Sequence, residues 1–238
     1  MARSGVLILP KLIFGRPFTD ISSRLQKPWI PYRLRRAVIR WLTWLVHGRM
    51  DKLGFVKPDK RVHTTSNGTL VTDIAYRRIE VKQGIESIDG DRIRFVDGTE
   101  EAFDVLIGAT GYLTDLPFLD SSIVAVENNQ LDLYQRMVPP DHRGLYLLGF
   151  FNTDTALNFI FEHQARWVRD IESGEACLPD SAEMKQSIEA RRAWVKQHYR
   201  NTPRHHLEEE SVPYIRELNK SLRQMRKRMR EQPRDPRG

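Results

Sequence analysis

The sequence predicts an α/β fold, and three observations carry the prediction. Asp104-Val-Leu-Ile-Gly-Ala-Thr110 is a nearly continuous apolar run, the mark of a strand buried on both faces in a parallel sheet covered by helices. Gly144-Leu-Tyr-Leu-Leu-Gly149 is a second, shorter apolar run that ends in glycine. Apolar residues recur at helical spacing in several other stretches. With 238 residues, 40% of them hydrophobic, the chain can bury a real core in one large domain or two modest ones.

In chain order, Val6 to Ile13 reads as an extended apolar segment, broken by Pro10 and ended by Gly15-Arg-Pro17. Tyr32 to Met50 reads as a helix. Leu34, Ala37, Val38, Trp41, Leu42 and Leu45 share its apolar face, with Arg33, Arg36 and Arg40 on another. That pattern suits a domain helix with a solvated basic side. It also suits a basic amphipathic helix whose Trp41 and Trp44 rest on a membrane surface or a partner. Residues 61–73 are mostly polar and read as a loop; the Asn67-Gly-Thr69 triplet is discounted as a glycosylation signal.

An antiparallel meander follows. Ile79-Glu-Val-Lys82 alternates, Ile85 to Ile88 continues, and Asp89-Gly90 turns into Arg92-Ile-Arg-Phe-Val96 before a second turn at Asp97-Gly98. The meander is expected to feed the central strand at 104–110, with Glu100 and Glu101 on a solvated hairpin edge. Beyond 149, helices are expected over Ala156–Glu172, capped by Asp154 or Thr155 and stopped at Gly174, and over Ser181–Tyr199, with Ser181 as cap. A third, Ser211–Arg230, ends in Arg226-Lys-Arg-Met-Arg230, read as a frayed, solvated end before Pro233 and Pro236.

Charge and cysteine content bound the function. The formal net charge is +7, with residues 1–61 holding 14 Lys/Arg against 3 Asp/Glu and residues 214–238 holding 9 against 3. The middle, 62–213, holds 15 against 25, which weakens nucleic-acid binding by the globular part, since a duplex binder needs a contiguous basic face on the fold itself. Cys177 is the single cysteine, which excludes an internal disulfide and a cysteine-based zinc site. No apolar stretch reaches the roughly 18 residues of a membrane span, and no secretory signal opens the chain. A reduced, cytoplasmic setting is the expectation.

Two strands that end in glycine, one followed by a capped helix, make sense at a nucleotide site. Ligands in open α/β sheets lie beyond the carboxyl ends of the strands, glycine lets backbone approach them, and a helix N-terminus favours an anion. The residues also point to a family. Asp104-Val-Leu-Ile-Gly-Ala-Thr-Gly-Tyr112 followed by Leu116-Pro-Phe-Leu119 resembles the D-x-x-x-x-A-T-G-Y … P-F-L signature of flavin-containing monooxygenases and their Baeyer–Villiger relatives. Val126 to Tyr134, Pro139-Pro140, Gly144 to Gly149, Glu162-His-Gln-Ala-Arg-Trp167 and Leu178-Pro179 follow in that family's order, so the resemblance covers roughly 55–195.

The resemblance implies a partial Rossmann-like fold with two dinucleotide-binding domains, carrying the meander and C-terminal helices. Residues 1–112 would be the rear half of an NADPH-binding domain, 113–205 the C-terminal part of an FAD-binding domain, and 206–238 a basic helical or disordered tail. The family reduces FAD with NADPH and transfers one oxygen atom of O2 to a small organic substrate, by N- or S-oxygenation or Baeyer–Villiger oxidation. By the same resemblance Thr110, Gly111, Tyr112, Asn152, Asp154 and Gln164 lie against the cofactors. Tyr112 could equally be a packed aromatic, Gln164 a helix-face amide, and His163 reads as structural. Two departures stand out. None of the 14 glycines forms a G-x-G-x-x-G, or even a G-x-G, and Phe150 stands where related flavoproteins place an acid. The chain therefore reads as the C-terminal portion of such an enzyme, with FAD and NADPH binding expected to be weak or absent in isolation. A non-catalytic remnant, contacting a membrane or partner through residues 33–49, is the alternative. No metal site is expected.

Overall fold

The apolar run at the start forms β1 (Leu7–Leu9), with Ile8 and Leu9 buried. Pro10 ends it, because proline cannot donate to a ladder. The computed structural model describes residues 7–25, 27, 29–55, 64–153, 157–199 and 202–231, and the chain divides into two units, 1–110 and 111–238. In the first, β2 (Leu12–Ile13) and β3 (Arg16–Pro17) form a hairpin around Phe14-Gly15, both at positive φ (48° and 74°) as such two-residue turns require. Then come α1 (Phe18–Leu25), α2 (Tyr32–His47), a 3-10 turn over Met50–Leu53, and β4 (Thr64–Ser66), which pairs parallel with β1. Leu9, Ile13 and Phe18 close a small core against Ile39 and Leu42 of α2.

That packing corrects the face expected of α2. The stripe turned inward is Ile39, Leu42 and Thr43, whose hydroxyl donates back to the Ile39 carbonyl at 2.8 Å. Leu34, Trp41, Trp44, Leu45 and Val46 face solvent. A helix with apolar residues around more than half its circumference does not reveal by periodicity which stripe the core selects.

The polar stretch 61–73 is not all loop: it contains β4 and the start of α3 (Leu70–Ala75). Asn67 starts α3, its side-chain oxygen accepting the Thr69 and Leu70 N–H groups at 2.8 Å each. The meander forms as β5 (Ile85–Asp89), β6 (Arg92–Phe95) and β7 (Glu100–Ala102), turning at Gly90 and Gly98. Residues 79–82 stay outside it. Lys82 instead bridges Glu80 and Glu101 and sits over the Phe95 ring, its ammonium 5.7 Å from the centroid. Glu100 meets Arg92 at 2.8 Å and Arg94 at 3.1 Å, so the glutamate pair works in cross-strand ion pairing as well as facing water.

The second unit opens with β8 (Val126–Glu127) and β9 (Gln130–Leu131), joined by Asn128-Asn129 at φ 50° and 61°. There follow β10 (Asn152–Thr153), α4 (Leu157–Glu172), α5 (Ser181–His198), α6 (Pro203–His206), β11 (Glu208–Glu209) and α7 (Ser211–Glu231). The N-cap of α5 is Asp180, one residue before the expected Ser181. Its carboxylate accepts the Glu183 N–H at 2.8 Å, while the Ser181 hydroxyl donates to Asp141 at 2.5 Å. Gly174, at φ 75°, follows the end of α4 as expected. The expected caps Asp154 and Thr155 lie outside the described residues.

The core of this unit packs Ile160 and Trp167 of α4, Met184 and Ile188 of α5, and Tyr214, Leu218 and Met225 of α7 around Tyr134, Met137 and Val138. Three polar rungs cross between α4 and α7. Gln164 donates to the Tyr214 hydroxyl at 2.8 Å, Trp167 donates to Ser221 at 3.0 Å, and Arg226 pairs with buried Asp170. The end of α7 is helical rather than frayed, though still largely solvated: residues 227–231 are exposed, while Arg228 pairs with Glu183 of α5 at 2.6 and 2.7 Å. Two charge-assisted pairs, from Arg226 and Arg228, tie this helical end to α4 and α5.

Burial pushes the Asp170 carboxyl up, but Arg169, 2.6 Å away, and Arg226 outweigh it and hold the group below the ordinary carboxylate range. A depressed carboxyl stabilises the fold above its unfolded pKa and stops doing so as pH falls through its native one. Asp170→Asn should thus cost about 2 kcal/mol at pH 7, the scale of hydrogen bonds to a charged group. Urea midpoints should show the gap to the wild type closing as the pH drops below about 4; a gap independent of pH contradicts the assignment.

Candidate functional site

Residues 104–114 carry the strongest functional pattern, and the fold leaves them bare. Residues 104–110 pair with no strand among the described residues. Val105 and Ile107 are 73% and 82% exposed, and Tyr112 is 98% exposed. This corrects the expectation of a buried central strand: a strand apolar on both faces is covered only when neighbours flank both edges, and the described residues supply none. The second expected strand, 144–149, is likewise unpaired. It is held instead by Leu147, buried and donating its N–H to the Met137 carbonyl at 2.9 Å.

Thr110 ends the first unit and Gly111 begins the second. Gly111 has φ 91°, with nothing within 4 Å of where a Cβ would sit, so the glycine serves the backbone turn rather than a tight contact. After Tyr112 the chain is clamped by Asn129, which is buried in the β8–β9 turn. Its side-chain oxygen accepts the Thr114 N–H at 2.6 Å, and its amide donates to the Tyr112 carbonyl at 3.4 Å. Asn129 escaped the sequence reading, although an Asn-Asn pair between short apolar runs is a hairpin-turn signal.

Gly149, at φ 80°, makes room for the chain itself. A Cβ there would lie 2.6 Å from the Phe161 ring. Asn152 lies in β10, its N–H donated to the Leu207 carbonyl at 2.7 Å, and β10 pairs in parallel with β11. Asp154 lies outside the described residues. Gln164 is fully buried and faces α7, where it donates to Tyr214, which in turn donates to the Gln135 carbonyl at 2.8 Å. Burial pushes the Tyr214 phenol well up, so it stays protonated and acts as a donor. No hydrogen bond joins Gln164 to Asn152 or Tyr112 among the described residues. His163 meets the Phe159 ring edge-on, centroids 5.1 Å apart, a packing role.

A match to the model of flavin-binding monooxygenase-like proteins spans residues 11–235. The chain belongs to this family. It is 33% identical over 170 residues to the N-oxide-forming dimethylaniline monooxygenase 2 of Rattus norvegicus, covering 66% of this chain and 31% of the relative. It is 29% identical over 186 residues to flavin-containing monooxygenase 5 of Homo sapiens, covering 75% and 35%. The chain thus spans about a third of the length of these curated relatives. The S-allyl-L-cysteine S-oxygenase of Allium sativum superposes with a TM-score of 0.51 at 24% identity, over 62% of this chain and 36% of that one, which establishes a shared fold.

Family membership implies FAD and NADPH, and the geometry tests whether these residues fit them. A dinucleotide pyrophosphate needs a glycine-rich cradle at a helix N-terminus. Gly149 is filled by Phe161, Gln164 is committed to Tyr214, and the sequence contains no G-x-G. The described residues do not by themselves make a dinucleotide site. Asn129→Gly keeps the left-handed backbone but removes the clamp on residues 112–114. It should cost about 1–2 kcal/mol for two hydrogen bonds and speed amide exchange at Thr114; unchanged exchange there refutes the clamp.

Proposed function

We propose that this chain supplies the C-terminal part of an FAD- and NADPH-dependent monooxygenase that places one oxygen atom of O2 on a small organic substrate. N- or S-oxygenation is the leading chemistry and Baeyer–Villiger oxidation the other. The observation that carries the reading is the bare 104–112 segment, a family signature run with apolar side chains exposed and no strand pairing among the described residues. Such a run is built to be completed by neighbours, and the family's glycine-rich nucleotide loops belong to the portion this chain does not match. Thr110, Gly111 and Tyr112 are assigned to the crossover beside the cofactors. Asn152, Asp154 and Gln164 are assigned to the flavin side, Gln164 acting from behind through Tyr214.

On this reading the purified chain binds no stoichiometric flavin. Co-expression with a family polypeptide that carries both glycine-rich loops should yield a yellow complex that consumes O2 with NADPH. An absorbance spectrum decides the first statement, since a yellow chain alone refutes it. A colourless co-purified mixture without NADPH oxidation refutes the second.

A second reading rests on α2. Trp41 and Trp44, each more than half exposed, stand with Leu34 and Leu45 on the outward face beside exposed Arg33 and Arg40. Aromatic and basic side chains on one exposed helix suit the headgroup region of an anionic membrane. No described helix is long and apolar enough to cross a bilayer, so contact would be peripheral. Co-sedimentation with phosphatidylserine vesicles should fall at least about tenfold on reversing Arg33, Arg36 and Arg40 to Glu, since each basic residue near such a surface is worth about 1 kcal/mol. Undiminished sedimentation removes this reading.

A further inference from the structure

We propose that a cavity in the second unit, between α5 and the turn at Gln135-Arg136, binds an oxyanion, the carboxylate or phosphate group of a small molecule. The cavity holds about 50 Å³, room for a few water-sized groups and so for an anionic head rather than a whole ligand. Four cations line it, Arg136, Arg191, Arg192 and Lys196, against two carboxylates, Glu209 and Glu217. The site is independent of the oxygenation reading.

Its inner wall is built around one buried carboxylate shared by two guanidiniums. Arg136 Nε lies 3.2 Å from Glu209, and Arg191 Nη2 lies 2.7 Å from the other oxygen of the same group. Arg191 Nη2 also donates to the Glu208 carbonyl at 3.3 Å, and the Arg191 guanidinium lies 4.4 Å from the Trp194 ring centroid. Two half-buried guanidiniums thus share one buried carboxylate, with Glu217 also in the lining. Three buried polar atoms on lining residues have no partner: Arg136 Nη2, Arg191 Nε and Gln135 Oε1. Buried groups are rarely left unsatisfied, and a guanidinium fork is shaped for a second planar or tetrahedral oxyanion. Burial, with Arg136 close by, pulls the Arg191 guanidinium down from its ordinary value; a further anion would relieve that.

The backbone supplies an independent sign. Gln135 and Arg136 both hold positive φ, 50° and 60°, although neither is Gly, Asn or Asp. Left-handed backbone is unfavourable for long side chains and persists where the surroundings impose it, commonly at ligand sites. Here it presents Gln135 and Arg136 to the cavity. Carboxylates already near the site set its limits. Arg192 is engaged by Asp132 and Glu189, and Glu217 accepts from Gln135 Nε2 at 3.4 Å, so the inner guanidiniums are the recognition groups and Arg192 and Lys196 the rim.

The test is calorimetric titration of the full chain with sodium phosphate and, separately, sodium acetate at constant ionic strength, with sodium chloride as the control. One saturable site is expected for phosphate, acetate or both, and none for chloride. Binding of phosphate alone assigns a phosphate group, and binding of acetate alone a carboxylate. Arginine side-chain Nε–H signals of Arg136 and Arg191 should shift in step in ¹H–¹⁵N spectra of the unmodified protein, which needs no variant to fold. Arg136→Lys, which keeps the charge but loses the fork, should weaken binding about tenfold with an unchanged circular dichroism spectrum. Absence of saturable binding of either anion overturns the proposal, as do unmoved arginine signals or equal binding by Arg136→Lys.

Discussion

The second unit depends on the polar seam between α4 and α7. Gln164, Trp167 and Asp170 stand at three-residue intervals on α4 and meet Tyr214, Ser221 and Arg226 in ascending order on α7. Because the contacts ascend together, the two helices run in the same chain direction. The first two rungs are buried hydrogen bonds beside Ile160, Leu218 and Met225, and the third joins buried Asp170 to half-exposed Arg226. Apolar surfaces alone would tolerate a shift of one helical turn, whereas a buried indole N–H or carboxylate left without its partner is costly. The seam therefore sets register as well as strength. It also commits Gln164, through Tyr214, to the turn at Gln135, next to the arginine-lined cavity.

The first unit has a different constraint. Its short parallel pair and its meander are each internally complete, yet the most apolar strand sequence in the chain, 104–110, takes part in neither. An exposed apolar run of this kind is one that natural proteins seldom leave uncovered. With the match spanning about a third of the relatives' length, this edge is where family membership and fold meet. Within the second unit, Asn129 holds the chain just beyond Tyr112.

Much of the architecture was legible in local chemistry. The Asp-Gly turns of the meander, the three C-terminal helices and the stop at Gly174 follow from turn residues, periodicity and composition, which act over a few neighbouring positions. The family signature was legible too, because its residues lie together in sequence. Less visible were the cap at Asp180, where Asp and Ser compete at adjacent positions, and the helix start at Asn67 inside a polar stretch. The candidate oxyanion cavity could not be read, since Arg136, Arg191 and Glu209 are separated by long stretches of chain and look like ordinary surface charges until packed.

By itself the sequence determined the helix over α2, the three C-terminal helices, the meander turns and the family, since propensity, turn geometry and contiguous motifs are short-range properties. Only the tertiary structure decided which face of α2 is covered, which arginines at the basic end of α7 find partners, and that the apolar run before Gly111 pairs with no strand among the described residues. Those outcomes depend on what lies across a gap of many residues. Burial and pairing are properties of the partner as much as of the segment.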